Sequence, residues 1–164
     1  ITQLFVAKMK PPGLAAITPL SVIGNTATTL VPGGILNKGF ALAWIERVYK
    51  KAAPYGQGWE QGRVDGGDTV CAENQLLHWQ RVNNVEQAES SSYYQPKLID
   101  PLNPSLFVQE IEVPVFLASA WQDEQTGPFF FTLLNQFTSA PIRRFVVYNG
   151  VHSDGFAPQV IAEL

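Results

Sequence analysis

The chain has 164 residues, of which 46% are hydrophobic, 12% aromatic and 15% charged, a composition that folds around a core and excludes a disordered segment. The net charge of -3 comes with no Lys or Arg block, only the isolated pairs Lys50-Lys51 and Arg143-Arg144, so nothing points to a nucleic-acid partner. No apolar run approaches the roughly 18 residues that span a bilayer, and a single cysteine, Cys71, excludes an intrachain disulfide and a Cys-rich zinc site.

In chain order, residues 1–9 read as a helix with Leu4, Phe5 and Met9 on one face, stopped by Pro11-Pro12-Gly13. The absence of an initiator Met, a charged leader or a cleavage site leads us to expect that Ile1 lies inside a larger protein. The apolar run at 14–23 suits a strand buried on both faces. Residues 24–39, rich in Gly, Thr and Asn, read as a loop. Phe40, Ala41, Trp44, Ile45 and Val48 predict a helix over 40–52, followed by a Gly-rich loop at 54–68. Asp68 or Thr69 is expected to cap a helix over 70–88, with Val70, Leu77 and Val85 near one face. The Ser- and Pro-rich stretch 89–107 reads as loop. A strand is expected at 113–120, a helix at 126–137 with Pro128 in its first turn, a strand at 143–149, and the start of a helix at 157–164.

This order predicts an α/β fold in three parts: an α/β core over 1–23, a helical insertion over 24–108, and the rest of the core over 109–164. In a parallel sheet, ligands bind outside the carboxyl ends of the strands. Asp123 follows one expected strand and His152 the next, so both side chains are expected on the same rim. There a carboxylate and an imidazole can form the pair that orients a general base. Either residue alone reads equally as a turn cap or a structural hydrogen-bonder; their equivalent positions on successive strands are what favour catalysis. Gln125, two residues past Asp123, is expected to face substrate. The chain holds no G-x-S-x-G, and Ser21, Ser119 and Ser153 lack the Gly-flanked strand-to-helix turn of a nucleophile elbow.

Three stretches are familiar. "ITQLFVA" with "GLAAITPLS" resembles the segment directly after the nucleophile in the CocE/NonD hydrolases, the family of cocaine esterase, α-amino-acid ester hydrolases and X-prolyl dipeptidyl aminopeptidases. "VPVFLASAWQDEQTG" is similar to that family's P-x-L-x-x-G-W-x-D strand and loop, with Trp121 and Asp123 in register. "YNGVHSDG" is similar to its histidine loop, with His152 in the catalytic place. Ser119-Ala120 and "NGVHSD" depart from the commoner Gly-rich pair and G-P-W-x-H. The resemblance implies part of an α/β-hydrolase with a helical cap, and a Ser-Asp-His triad whose serine precedes Ile1. It also implies an ester or amide substrate, including X-Pro dipeptide amides, no metal or cofactor, and a bacterial source, cytoplasmic or secreted. The 164 residues alone are expected to be inactive and to need the rest of their polypeptide to complete the sheet.

Other patterns carry less. Cys71 and His78 fall two helical turns apart, too far for a nucleophile and its base. Asp65-Gly66-Gly67-Asp68 lacks the later ligands of a calcium loop and reads as a cap or turn. The aromatic middle, with Trp44, Trp59, Trp79 and Tyr93 among its residues, suits the packing of a cap. In the competing reading, it is the docking surface of a non-catalytic binding module.

Overall fold

The computed structural model describes residues 1–78, 80, 82–91 and 93–163. The chain divides into two compact units: residues 1–35 with the chain from Tyr94 onward, and residues 36–93. Residues 24–35 and 94–108 thus belong to the first unit rather than to the second.

The first unit is organised around β1, Val115–Ala120, which pairs in parallel with β2, Arg143–Tyr148, in register from Val115 opposite Arg143 to Ala120 opposite Tyr148. Every residue of β1 is buried, as its unbroken apolar run requires. Its side chains alternate between two faces. Val115 and Leu117 enter the main core with Ile17, Phe107 and Phe130, while Phe116 and Ala118 meet Val160 on the opposite side.

The expected strand at 14–23 is corrected. This segment runs along the free side of β1 through two isolated parallel bridges, Ile17 to Val115 and Leu20 to Ala118. The Ile17 N–H donates to the Pro114 carbonyl at 3.0 Å and the Ser21 N–H to the Ala118 carbonyl at 2.9 Å. Pro19 has no N–H to give a ladder, and Ser21, at φ 47°, turns the chain out of the extended region. The apolar run correctly marked a place beside the core, but the ladder is interrupted.

The first helix, α1, spans Thr2–Lys8. Leu4 and Ala7 form its buried face, and Phe5 packs on Phe107 with ring centroids 4.9 Å apart. Met9, expected on that face, is the C-cap and is 77% exposed. The expected loop at 24–39 contains α2, Thr26–Leu30, whose first turn is capped by the Asn25 side chain accepting from Ala27 N–H at 2.9 Å. Just before it, Gly24 tolerates no side chain, because a Cβ there would sit 2.4 Å from the Phe129 carbonyl oxygen.

The expected helix at 126–137 is instead a 3-10 helix over Pro128–Leu133. Aromatic residues lose side-chain freedom in an α-helix, whereas the three-residue repeat stacks Phe130 above Leu133, both buried. Elsewhere in this unit, α7 covers Pro96–Ile99 within the expected loop, and α8 covers only Pro158–Ile161 of the expected 157–164; Leu164 lies outside the described residues.

The second unit is helical. It contains α3, Phe40–Lys51; α4, Glu60–Asp65, within an expected loop; α5, Thr69–His78; and α6, Asn84–Ser90. The single helix expected over 70–88 is two helices. Asn83 caps the second, its side chain accepting from Glu86 N–H at 3.1 Å and donating to the Glu86 carboxylate at 3.2 Å, an N-cap that starts a new helix. Trp79 and Arg81, between the two, lie outside the described residues. The expected apolar face of α5 is also corrected: Val70 and Leu77 are exposed, and the buried residue is Gln75. Among the described residues, no helix is long and apolar enough to cross a membrane.

Candidate active site

Parallel pairing sends the carboxyl ends of β1 and β2 to one edge. The pairing continues past both strands, with Trp121 N–H donating to the Tyr148 carbonyl at 3.1 Å and Gln122 N–H to the Gly150 carbonyl at 3.2 Å. The two loops therefore leave the sheet side by side. Asp123 and His152, 29 positions apart in sequence, meet there with Oδ2 to Nδ1 at 2.8 Å.

Asp123 is held from both of its oxygens. Oδ1 accepts from the backbone N–H of Gln125 at 2.8 Å and of Thr126 at 2.7 Å, so the loop folds around its carboxylate. The side chain has no exposed surface, whereas that of His152 keeps 29% of its own. Burial works to raise the Asp123 pKa, yet the Thr126 amide, the His152 ring and the Gln125 amide together outweigh it and hold the carboxyl below its ordinary 3.8. An ionised carboxylate only accepts hydrogen bonds, so Nδ1 of His152 carries the proton. In the neutral ring, Nε2 is then left with its lone pair.

The His152 backbone is fixed as well. Its N–H donates to Glu124 Oε2 at 3.1 Å, and this bond is the leading cause that holds the Glu124 carboxyl below its usual value. Ser21 Oγ donates to the His152 carbonyl at 3.4 Å, and Asp154 Oδ2 accepts the Val151 N–H at 2.8 Å. Adjacent carboxylates, Asp123 and Glu124, thus grip one histidine by its ring and by its main chain. Gln125 contributes its N–H to Asp123, and its side-chain amide donates to Glu124 Oε1 at 3.3 Å. Trp121, half-exposed, stacks obliquely on Phe130 and Phe131.

Sequence reasoning overlooked Glu124 and the second role of Ser21. The spacing Asp123-x-x-Thr126 signals an Asx-type turn, which would have anchored Asp123, but nothing local announces a contact 28 residues away. Of the remaining serines, Ser119 is buried inside β1 with no hydrogen-bond partner among the described residues. Elsewhere, Asp68 caps α5 by accepting from Cys71 N–H at 2.9 Å and pairs with Arg63 at 3.0 Å, while Asp65 accepts from Gln61. Among the described residues, no three metal-ligating side chains converge.

The family model for X-Pro dipeptidyl-peptidase (S15 family) matches residues 1–154, a span that includes both Asp123 and His152. No curated protein matches the chain.

Proposed function

The chain belongs to the X-Pro dipeptidyl-peptidase (S15) family, and from that membership we propose that it carries the general base and orienting carboxylate of a serine hydrolase. The substrate is an ester or an amide, an X-Pro dipeptide amide being the amide form. The nucleophile in this reading is a serine about four residues before Ile1, where the resemblance to a nucleophile elbow begins.

The observation that carries the reading is the 2.8 Å contact between Asp123 Oδ2 and His152 Nδ1, with Asp123 buried and tied by two backbone amides. Nε2 of His152 takes the serine proton as the hydroxyl oxygen attacks the carbonyl carbon. The tetrahedral intermediate collapses, and the same nitrogen returns the proton to the departing alcohol or amine. Water then repeats the cycle on the acyl-enzyme. Asp123 stays ionised throughout and stabilises the imidazolium formed at each transfer. The units 1–35 with 94 onward and 36–93 are, in this reading, the catalytic core and its cap.

The test is fluorophosphonate labelling of a longer form of the protein that includes the residues before Ile1. Covalent adduct on a serine upstream of Ile1, with the labelling rate falling by about 10⁴-fold in Asp123→Asn, is the expected result. An unlabelled protein, or one whose labelling is indifferent to both Asp123→Asn and His152→Ala, would overturn the proposal and favour a binding module.

A further inference from the structure

The helical unit of residues 36–93 carries a half-open cleft of about 310 Å³, at the lower end of the size range of small-ligand sites. Its lining is polar where helix packing is normally apolar. Glu60 and Gln75, only 2% and 5% exposed, lie on it together with Cys71. Along α5, Cys71 and Gln75 are four residues apart and occupy one face. That face turns toward the cavity while the apolar Val70, Leu76 and Leu77 are exposed. Gln75 is thus a polar side chain buried at a position where a helix normally packs an apolar one.

Most polar groups around this space are accounted for. Gln75 accepts the Tyr55 N–H at 2.8 Å and donates to the Cys71 carbonyl at 3.3 Å. Arg63 is engaged by Asp68 through Nε at 3.2 Å and a terminal nitrogen at 3.0 Å. Glu60 differs. Among the described residues, its Oε1 accepts only the long 3.4 Å bond from Gln57 N–H, and its Oε2 is buried with no partner. A carboxylate oxygen removed from water and left without a donor is expensive. With His78, also on the lining, counted as neutral, Glu60 and Asp68 against Arg63 leave one formal negative charge.

We propose that this cavity binds a small primary ammonium, whose N–H donates to Glu60 Oε2 and whose charge the lining balances. Trp59, exposed on the same cavity, offers an indole face to the ligand's hydrocarbon part or to the cation itself. A neutral molecule leaves the charge unmatched, an anion is repelled, and a quaternary ammonium brings charge without a donor. The site lies wholly within residues 36–93 and does not depend on the hydrolase reading.

Cys71 supplies the readout, because it is the only cysteine in the chain and it lines the cavity. Alkylation by iodoacetamide, followed by intact mass at neutral pH, reports occupancy without any assay of activity. Benzylammonium is expected to slow the reaction, by about tenfold at a concentration ten times its Kd. Benzyl alcohol, benzoate and benzyltrimethylammonium at equal concentration should protect far less. In Glu60→Gln the concentration of benzylammonium needed should rise by about tenfold or more. Absence of protection in the wild type would overturn the proposal, as would equal protection by the alcohol or the quaternary cation, or unchanged protection in a folded Glu60→Gln. Because the comparison among the four probes is made on the wild-type protein, it decides the matter even where Glu60→Gln fails to fold.

Discussion

The chemistry of Asp123 rests on two backbone amides and one imidazole directed at a carboxylate whose pKa burial works to raise. Since its native pKa lies below the unfolded value of 3.8, the stabilisation it gives is complete above the unfolded pKa and is lost as pH falls through the native one. The urea midpoint of the wild type should therefore exceed that of Asp123→Asn at pH 7, and the difference should shrink steadily below about pH 4. Glu124 acts on the same histidine through the main chain. Replacing it with Ala should speed hydrogen exchange at the His152 amide by about tenfold, the loss of one charge-assisted bond, while amides in the centre of β1 keep their protection. Unchanged exchange at His152 would mean that the 3.1 Å contact contributes nothing.

At the level of elements, what could be read from the residues depended on how far each signal reaches. β1 was legible because a continuous apolar run between turns has few other solutions, and it is fully buried as expected. The segment at 14–23 was only half legible: its apolarity predicts burial, but Pro19 and the left-handed Ser21 limit it to two bridges. The 3-10 helix at Pro128–Leu133 and the break between α5 and α6 escaped because each turns on local competition, between aromatic side chains and α-helix packing in one case and the Asn83 N-cap in the other. The centre of the core is testable. Leu117, with no exposed surface, sits in β1 among Ile17, Phe107 and Phe130; Leu117→Ala should cost about 2–5 kcal/mol in chemical denaturation, whereas the same change at exposed Leu106 should cost less than about 1 kcal/mol.

For the molecule as a whole, two paired strands and a pair of bridges make a small sheet, and sheets of this size rarely stand alone. We propose that a longer form of the polypeptide carries further strands, which pair with the outer edge of β2. A longer form carrying them is expected to melt at a higher temperature and in a sharper calorimetric transition than the 164 residues. Equal melting temperatures would argue that the described sheet is self-sufficient.

Local sequence determined the parts that depend on neighbours in the chain: the burial of β1, the helical character of 40–51, the capping of α5 by Asp68, and the placement of a carboxylate and an imidazole just beyond two strand ends. It also bore the family resemblance, because the residues of each motif lie within a few positions of one another. Tertiary structure alone decided that the two strand ends lie side by side, that Asp123 faces Nδ1 at 2.8 Å rather than solvent, that Glu124 and Ser21 hold the histidine loop, and that α5 buries Gln75. The physical reason is common to all four: strand pairing, side-chain burial and hydrogen bonds between residues tens of positions apart are set by how elements pack, and no short window of residues encodes which partner each one will meet.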